Sequence, residues 1–387
     1  MKKLILLIIT IVFVFSCSTI PRSGFIDTGD DTRLHYRITG TGADTIVVAD
    51  IGWGYPYIEE FGDSLTWIVY DVRDRGYSDN TDNMDLISME HEIADMEKVR
   101  QYFKINKMNV LGWSYLGGMV ALYAAKYPDH VNSIIQVGPI PFKIGEHWNN
   151  FIQDRISRAD SALDNRVKQL QEQGIDKSDP QIYCKEFWKA GIAQIIADQK
   201  NLDRLTDNVP CDCENEWPQN LSIGQIIAKL GQWDWTEQIK TIQAKSLIIH
   251  GMADNIPLGS SEDWARLVPG SRIYKMNHSG HMPMAEEPDI FFDAVKKFIK
   301  NKTLGLESGF AEVNGTKLYY EVAGQREPLV LVHGNFGDCR HWDFNFNELA
   351  KKFKVIRYDV RGYGKSDSSP KGFEYADHDD LKALMDF

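Results

Sequence analysis

Three side chains have the types needed for acyl transfer: Ser114, Asp254 and His281. A serine hydroxyl attacks a carbonyl only when a base removes its proton and a third group orients that base. Ser114 stands in NVLGWSYLGGMVALYAAKYP, where an apolar run ends at Gly-Trp-Ser and a small-residue helical pattern follows. Asp254 stands in IIHGMADNIP and His281 in NHSGHMPMAEEP, each in a loop after an apolar run. His278 is a second candidate base and Asp263 a second candidate acid, although Asp263 falls inside an expected helix. Chemistry of this kind needs neither a metal nor a cofactor.

The elements around these residues repeat in a regular order. Apolar, β-branched runs at 45–48, 67–70, 109–111, 133–138, 245–250 and 272–276 are expected strands. Helical patterns at 84–103, 117–127 and 289–300 lie between or after them. Strands alternating with helices imply an α/β chain with a mostly parallel sheet covered on both faces. Such sheets assemble their sites in the loops at the C-terminal strand ends, where all three side chains fall. The stretch 141–240 breaks the pattern. It is charged and helix-like, with Trp148, Trp188, Trp217, Trp233 and Trp235, and reads as a helical insertion.

The front of the chain also recurs at its back. SGFIDTGDDTRLHYRITG from Ser23 echoes SGFAEVNGTKLYYEVAG from Ser308, and YDVRDRGYSD from Tyr70 echoes YDVRGYGKSD from Tyr358. This is an internal duplication. The second copy, 308–387, holds no counterpart of the Ser114 corner, the acid or the base. It cannot perform triad chemistry alone. Lacking a central strand, it is expected to expose an apolar edge and to be loosely docked or partly unfolded.

Residues 24–303 resemble an α/β-hydrolase fold enzyme with a helical cap, similar to the prolyl iminopeptidase and esterase branch. Gly112-Trp113-Ser114, His250-Gly251 with Asp254, Gly280-His281 and the Asp71-x-Arg73 loop carry the resemblance, in the family's chain order. It implies Ser114 as nucleophile, His281 as base and Asp254 as its orienting acid, with His278 supporting a loop. It implies scaffold roles for Asp71, Arg73 and Ser78, and for His333 and Asp359 in the second copy, which is a truncated repeat of the N-terminal half of the fold. Two departures stand out. Leu116 occupies the second glycine of the usual Gly-x-Ser-x-Gly corner, so Gly117 and Gly118 are expected to let the helix approach the sheet, with Leu116 in an adjacent apolar space. The family usually has His-Gly after its first parallel strand. Here the loop is Asp50-Ile51-Gly52-Trp53-Gly54, and Ile51 is aligned with the histidine that the second copy keeps as His333. The oxyanion donors are expected to be the backbone amides of Tyr115 and Trp53.

With 43 Lys and Arg against 55 Asp and Glu, the net charge of −12 disfavours a nucleic-acid partner. Lys2 and Lys3 precede an apolar run from Leu4 to Phe15, too short to span a bilayer but suited to a signal peptide over residues 1–16. Ser16-Cys17 then fits a bacterial lipoprotein box, with Cys17 acylated and the enzyme held at a membrane of the cell envelope. In an exported chain a disulfide from Cys184 to Cys211 or Cys213 is expected. Cys211-Asp212-Cys213 lacks a second ligand pair at metal spacing.

A serine nucleophile implies a small acyl substrate cleaved through an acyl-enzyme. Ester hydrolysis is the leading expectation. A prolyl iminopeptidase-like aminopeptidase is the alternative, with Glu214 or Glu216 holding the free amine, although the His-Gly-Gly-Pro-Gly loop typical of those enzymes is missing. The alternative of another class is a binding protein that keeps the fold without turnover.

Overall fold

The structure is a computed structural model describing residues 20–300 and 306–387, except 325, 336, 351, 370, 371 and 373. The expected signal segment and Cys17 lie outside the described residues. Among the described residues no helix is long and apolar enough to cross a membrane.

Eight strands build the first copy: β1 (Ser23–Asp27), β2 (Arg33–Thr39), β3 (Thr45–Asp50), β4 (Thr66–Asp71), β5 (Met108–Trp113), β6 (Val131–Val137), β7 (Lys245–Gly251) and β8 (Ser271–Met276). They lie in the order β1-β2-β4-β3-β5-β6-β7-β8, parallel from β4 to β8. Helices cover both faces, so the central strands bury nearly every side chain. That is why they read as continuous apolar runs rather than alternating ones.

The helix expected over 84–103 is divided. A 3-10 turn, Met84–Leu86, precedes the α-helix Met89–Tyr102. Ser88 separates them: its extended backbone (φ −157°) starts a new helix, and its hydroxyl accepts from the His91 amide at 3.3 Å.

Between β6 and β7 the chain leaves the sheet to form a cap. Its larger helices are Glu146–Ser157, Ser161–Glu172, Pro180–Ala193 and Ile223–Leu230. A Cys184–Cys211 disulfide, with Cα atoms 5.8 Å apart, ties the third of these to the loop before the turn Glu214–Glu216, and Cys213 is free. The cap tryptophans do two jobs. Trp148 meets Trp233 edge-on, Trp233 stacks on Trp235, and Trp235 reaches Trp264 beside the sheet. Trp188 instead meets Trp53, with ring centroids 4.6 Å apart, over the C-terminal strand ends.

The second copy contributes β9 (Leu306–Val313), β10 (Thr316–Ala323), β11 (Pro328–Val332) and β12 (Lys354–Tyr358). These repeat the pairing of β1 to β4: a β9–β10 hairpin, β10 antiparallel to β12, and β11 parallel to β12. The expectation of a loosely docked or partly unfolded copy is not met. Strand β9 pairs antiparallel with β8 at Arg272↔Gly309 and Ile273↔Ser308, so both copies form one twelve-stranded sheet. Phe310 and Tyr319 enter the main apolar core. Ion pairs Lys275–Glu321 (3.3 Å), Arg272–Glu307 (3.1 Å), Arg266–Asp367 and Lys365–Glu262 cross the junction. The outer edge of β11 ends the sheet, at the side where β3 in the first copy receives β5.

Candidate active site

Ser114 sits on the corner between β5 and the helix Tyr115–Lys126 with φ 59° and ψ −122°, a backbone region that non-glycine residues rarely occupy. Its amide donates to the Val137 carbonyl (2.8 Å), and its carbonyl accepts from Ile140 (3.2 Å) and Gly117 (3.0 Å). The corner is tight. A Cβ at Gly112 would lie 2.2 Å from the Leu116 carbonyl oxygen, and one at Gly118 would lie 2.9 Å from the Trp235 ring. Leu116 is buried in the core, so the glycines on either side of it relieve the crowding, as expected.

Asp254 follows β7 and His281 follows β8. Their side chains meet with Asp254 Oδ2 and His281 Nδ1 2.9 Å apart, both almost fully buried. The second oxygen of Asp254 accepts from the Ile256 amide (2.8 Å). Gly138, with φ +47°, ends β6 directly beside this pair. A Cβ there would lie 2.7 Å from Asp254 Oδ2 and 2.9 Å from His281 Nδ1, so only glycine leaves the pair its space. The His281 loop is held from three sides: its amide donates to Ile195 of the cap (2.7 Å), its carbonyl accepts from Trp113 Nε1 (2.6 Å), and Glu286 accepts from the Gly280 amide (2.8 Å). Glu286 also accepts from Ala197 of the cap (2.7 Å), a joint that sequence spacing does not announce.

The rivals lie elsewhere. His278 is exposed, and its amide donates to Glu287. Asp263 is on the helix Leu258–Leu267 and faces His147 at 3.1 Å. The scaffold residues behave alike in both copies. Arg73 grips Asp95 through two bonds of 2.7 Å, as Arg361 grips Asp380 at 2.7 and 2.8 Å. Ser78 donates to the Asp71 carbonyl, and Ser366 to the Asp359 carbonyl, each at 2.6 Å.

Ser114 and His281 line one cavity of about 170 Å³ together with Ile51, Trp53, Tyr115, Leu116 and the cap residues Phe151, Trp188, Ile192 and Ile195. Tyr115 opens its helix, so its N–H is among those without an intrahelical acceptor. Trp53 comes from the loop after β3.

That loop corrects the alignment made from sequence. Thr45 pairs with Thr66 on β4, and Pro328 pairs with Lys354 on β12. Tyr70 and Tyr358, at equivalent places, pair with Ala49 and Val332. Asp50, not Ile51, therefore stands where the second copy has His333. His333 Nε2 accepts from the Val360 amide (3.0 Å), whereas in the first copy the equivalent Val72 amide donates to the Asp50 main-chain carbonyl (2.9 Å). This frees the Asp50 carboxylate to accept from the Gly54 amide, 3.0 Å from each oxygen, and so to brace the turn after Trp53. Burial, and then the neighbouring Asp71 carboxylate, pushes Asp50 up to about 6.

The two carboxylates considered for amine binding do not reach the cavity as free charges. Glu214 is exposed. Glu216 is fully buried and fully engaged: it accepts from Arg75 at 3.0 and 2.9 Å, from the Gly76 amide at 3.0 Å and from Trp53 Nε1 at 3.1 Å. It locks the cap to the Trp53 loop.

A larger cleft of about 700 Å³ lies between the copies, lined by Lys275, Glu321, Arg357, Asp359 and Cys339. Its ions satisfy one another. Asp359 also accepts from the Cys339 (2.6 Å) and Lys365 (2.8 Å) amides, and Asp338 is held by Arg340. Among the described residues its lining holds no serine and no histidine.

Comparison with known proteins agrees with this geometry. Residues 54–172 and 327–386 match the family described as alpha/beta hydrolase fold. The proline iminopeptidase of Saccharolobus solfataricus is 22% identical over 274 residues, covering 68% of this chain and 87% of its own. That of Heyndrickxia coagulans is 21% identical over 238 residues, covering 60% and 81%. An esterase from Exiguobacterium antarcticum superposes with a TM-score of 0.54 at 20% identity, over 71% of this chain and 98% of its own. The proline iminopeptidase of Mycobacterium smegmatis gives 0.53 at 18%, over 72% and 98%. The sheet order, the cap between β6 and β7, and these matches show that the chain has the α/β-hydrolase fold.

Proposed function

We propose that the chain hydrolyses esters of short acyl groups through an acyl-enzyme on Ser114. The observation that carries this reading is the Asp254–His281 pair opening into the same apolar cavity as a serine on a strained corner. In the mechanism, His281 Nε2 takes the Ser114 Oγ proton as Oγ bonds to the acyl carbon. Asp254 holds the Nδ1–H and offsets the imidazolium charge. The Tyr115 and Trp53 amides donate to the oxyanion. His281 then gives its proton to the departing alcohol oxygen. Water, activated by the same nitrogen, releases the acid and restores Ser114.

Ester is favoured over aminopeptide because a free α-amine needs an anion, and Glu216 is consumed by Arg75, Trp53 and Gly76. The resemblance to proline iminopeptidases supports an aminopeptidase as the second reading. A panel of p-nitrophenyl esters beside aminoacyl-p-nitroanilides decides between them. Ser114→Ala and His281→Ala are each expected to lower turnover by roughly 10⁴-fold or more, and His278→Ala to leave most of it. A dead His278→Ala beside an active His281→Ala reverses the assignment. Absence of stoichiometric fluorophosphonate labelling at Ser114 makes the chain a binding protein instead.

We also propose export and acylation at Cys17, supported by the leader pattern and by a disulfide of the kind oxidising compartments permit. Processing that globomycin does not block would overturn it.

A further inference from the structure

Among the described residues the candidate cavity has no free carboxylate, yet it has two polar side chains whose hydrogen-bonding capacity is unfilled. Asn255, next to the orienting Asp254, is only 2% exposed and lines the cavity. Among the described residues neither its Oδ1 nor its Nδ2 has a partner. Burying a carboxamide in this state is costly, and the cost is recovered when a ligand supplies the missing bonds. Arg155, on the cap helix Glu146–Ser157, lines the same cavity from its solvent side. Among the described residues its one side-chain hydrogen bond goes to the neutral Gln194 Oε1, at 3.3 Å. Among the described residues no carboxylate pairs with it. Its neighbours are different: Arg158, one turn on, pairs with Asp154 at 2.6 Å, and Arg75, deeper in the cavity wall, is neutralised by Glu216.

An arginine fork matches a carboxylate geometrically, and charge-assisted bonds of this type are the strong ones. A carboxamide N–H lining the same cavity can donate to an anion's remaining lone pair. We infer that the substrate is an acyl compound carrying a second carboxylate, such as a half-ester of a short dicarboxylic acid, held by Arg155 and Asn255 while Ser114 attacks the ester. This rests on the hydrolase reading and names its substrate class. A cationic amine would meet Arg155 with the wrong sign. A neutral acyl chain would leave the guanidinium and the amide unfilled. The volume of about 170 Å³ keeps the acyl group short.

The test separates binding from turnover. Three tryptophans, Trp53, Trp113 and Trp188, line the cavity, so intrinsic fluorescence reports occupancy. The full-length Ser114→Ala protein is titrated with glutarate and with the neutral diamide glutaramide. Glutarate is expected to bind and glutaramide to bind at least about tenfold more weakly. Adding Arg155→Met is expected to weaken glutarate by about 10–100-fold, and Asn255→Asp, which keeps the shape but adds a like charge, by at least about tenfold. Arg166→Met, an equal charge change on the exposed helix Ser161–Glu172, serves as control and is expected to change nothing. In the active enzyme, kcat/KM for mono-p-nitrophenyl glutarate relative to p-nitrophenyl butyrate is expected to fall by the same factor in Arg155→Met. Glutarate that does not bind, or that binds Arg155→Met undiminished, overturns the inference. If glutarate binds through Arg155 but no ester is ever cleaved, the hydrolase reading fails and the dicarboxylate site stands.

Discussion

At the scale of single residues, the site is held by buried charges that seldom point at the substrate. Glu92 shows what such a group costs. It lies under Tyr115, whose hydroxyl donates to Oε1 at 3.2 Å, while Oε2 has no partner among the described residues. Burial, and then the Asp95 carboxylate, pushes it up to about 8, against the weaker pull of Tyr115, Arg75 and Arg73. A carboxyl whose folded pKa is raised binds its proton more tightly in the native state, so its contribution to stability is lost as pH rises from about 4.5 to about 8. Glu92→Gln keeps the acceptor for Tyr115 and removes the titration. Its melting temperature is expected to match the wild type near pH 4.5 and to exceed it by at least about 3 °C at pH 8.5. Parallel pH dependence in the two proteins would show that Glu92 is not the titrating group. The candidate triad was legible in the sequence because each member follows a strand and the three stand in a diagnostic chain order. Asp50 was not. Aligning the loop by its letters sets Ile51 against His333, and only the pairing of β3 with β4 and of β11 with β12 moves the match by one residue. The engagement of Glu216 was equally hidden, because Arg75 is 141 residues away.

At the scale of elements, the parallel strands were legible from their apolar runs and the cap from its composition. The start of the helix Met89–Tyr102 was misread because the apolar period runs on through Ile87, and the stop is set by one hydroxyl, that of Ser88. How the cap is fastened was also invisible. Two fasteners reach from it to the site, the Glu216–Arg75 pair and Glu286 with Ala197, whereas the Cys184–Cys211 bridge, which the sequence led one to expect, ties the cap to itself. The bridge closes a loop with a sequence separation of 27, and loops of that size contribute about 3.5 kcal/mol by chain entropy. Its helix, Pro180–Ala193, also carries Trp188 into the cavity. Cys184→Ala is therefore expected to lower both the resistance of the cap to proteolysis and kcat/KM, while the sheet domain still folds. Unchanged kcat/KM in a protein with a demonstrably loosened cap would separate the lid from catalysis.

At the scale of the whole molecule, the duplication was plain in the sequence, but its docking was not. The antiparallel joint depends on the free edge of β8, and no local pattern marks an edge. Sequence alone favours a chain ending at Thr303 as the hardier protein. The structure reverses that. Removing 304–387 strips β9 from β8, takes Phe310 and Tyr319 from the main core and breaks the Lys275–Glu321 pair. Every residue lining the candidate cavity lies between Ile51 and His281. The shortened chain is expected to keep kcat/KM within about twofold, the loss of contacts being remote from the site, and to melt at a lower temperature and be cut faster by protease. A rise in stability on truncation would show that the second copy strains the first.

The joint itself has one more consequence. Only two residue pairs link β8 to β9, whereas β9 and β10 share eight and β7 and β8 share six. Such a sheet is continuous to the eye but uneven in cooperativity, because opening it at β8–β9 breaks the fewest ladder bonds. In native-state hydrogen exchange the amides of β10 and β12 are expected to exchange as one block at a lower opening free energy than those of β5 and β6. In urea the molecule is expected to pass through a state whose first copy is intact and whose second has melted. The chain would then have two stabilities rather than one, and a single unfolding free energy measured for it would describe neither half.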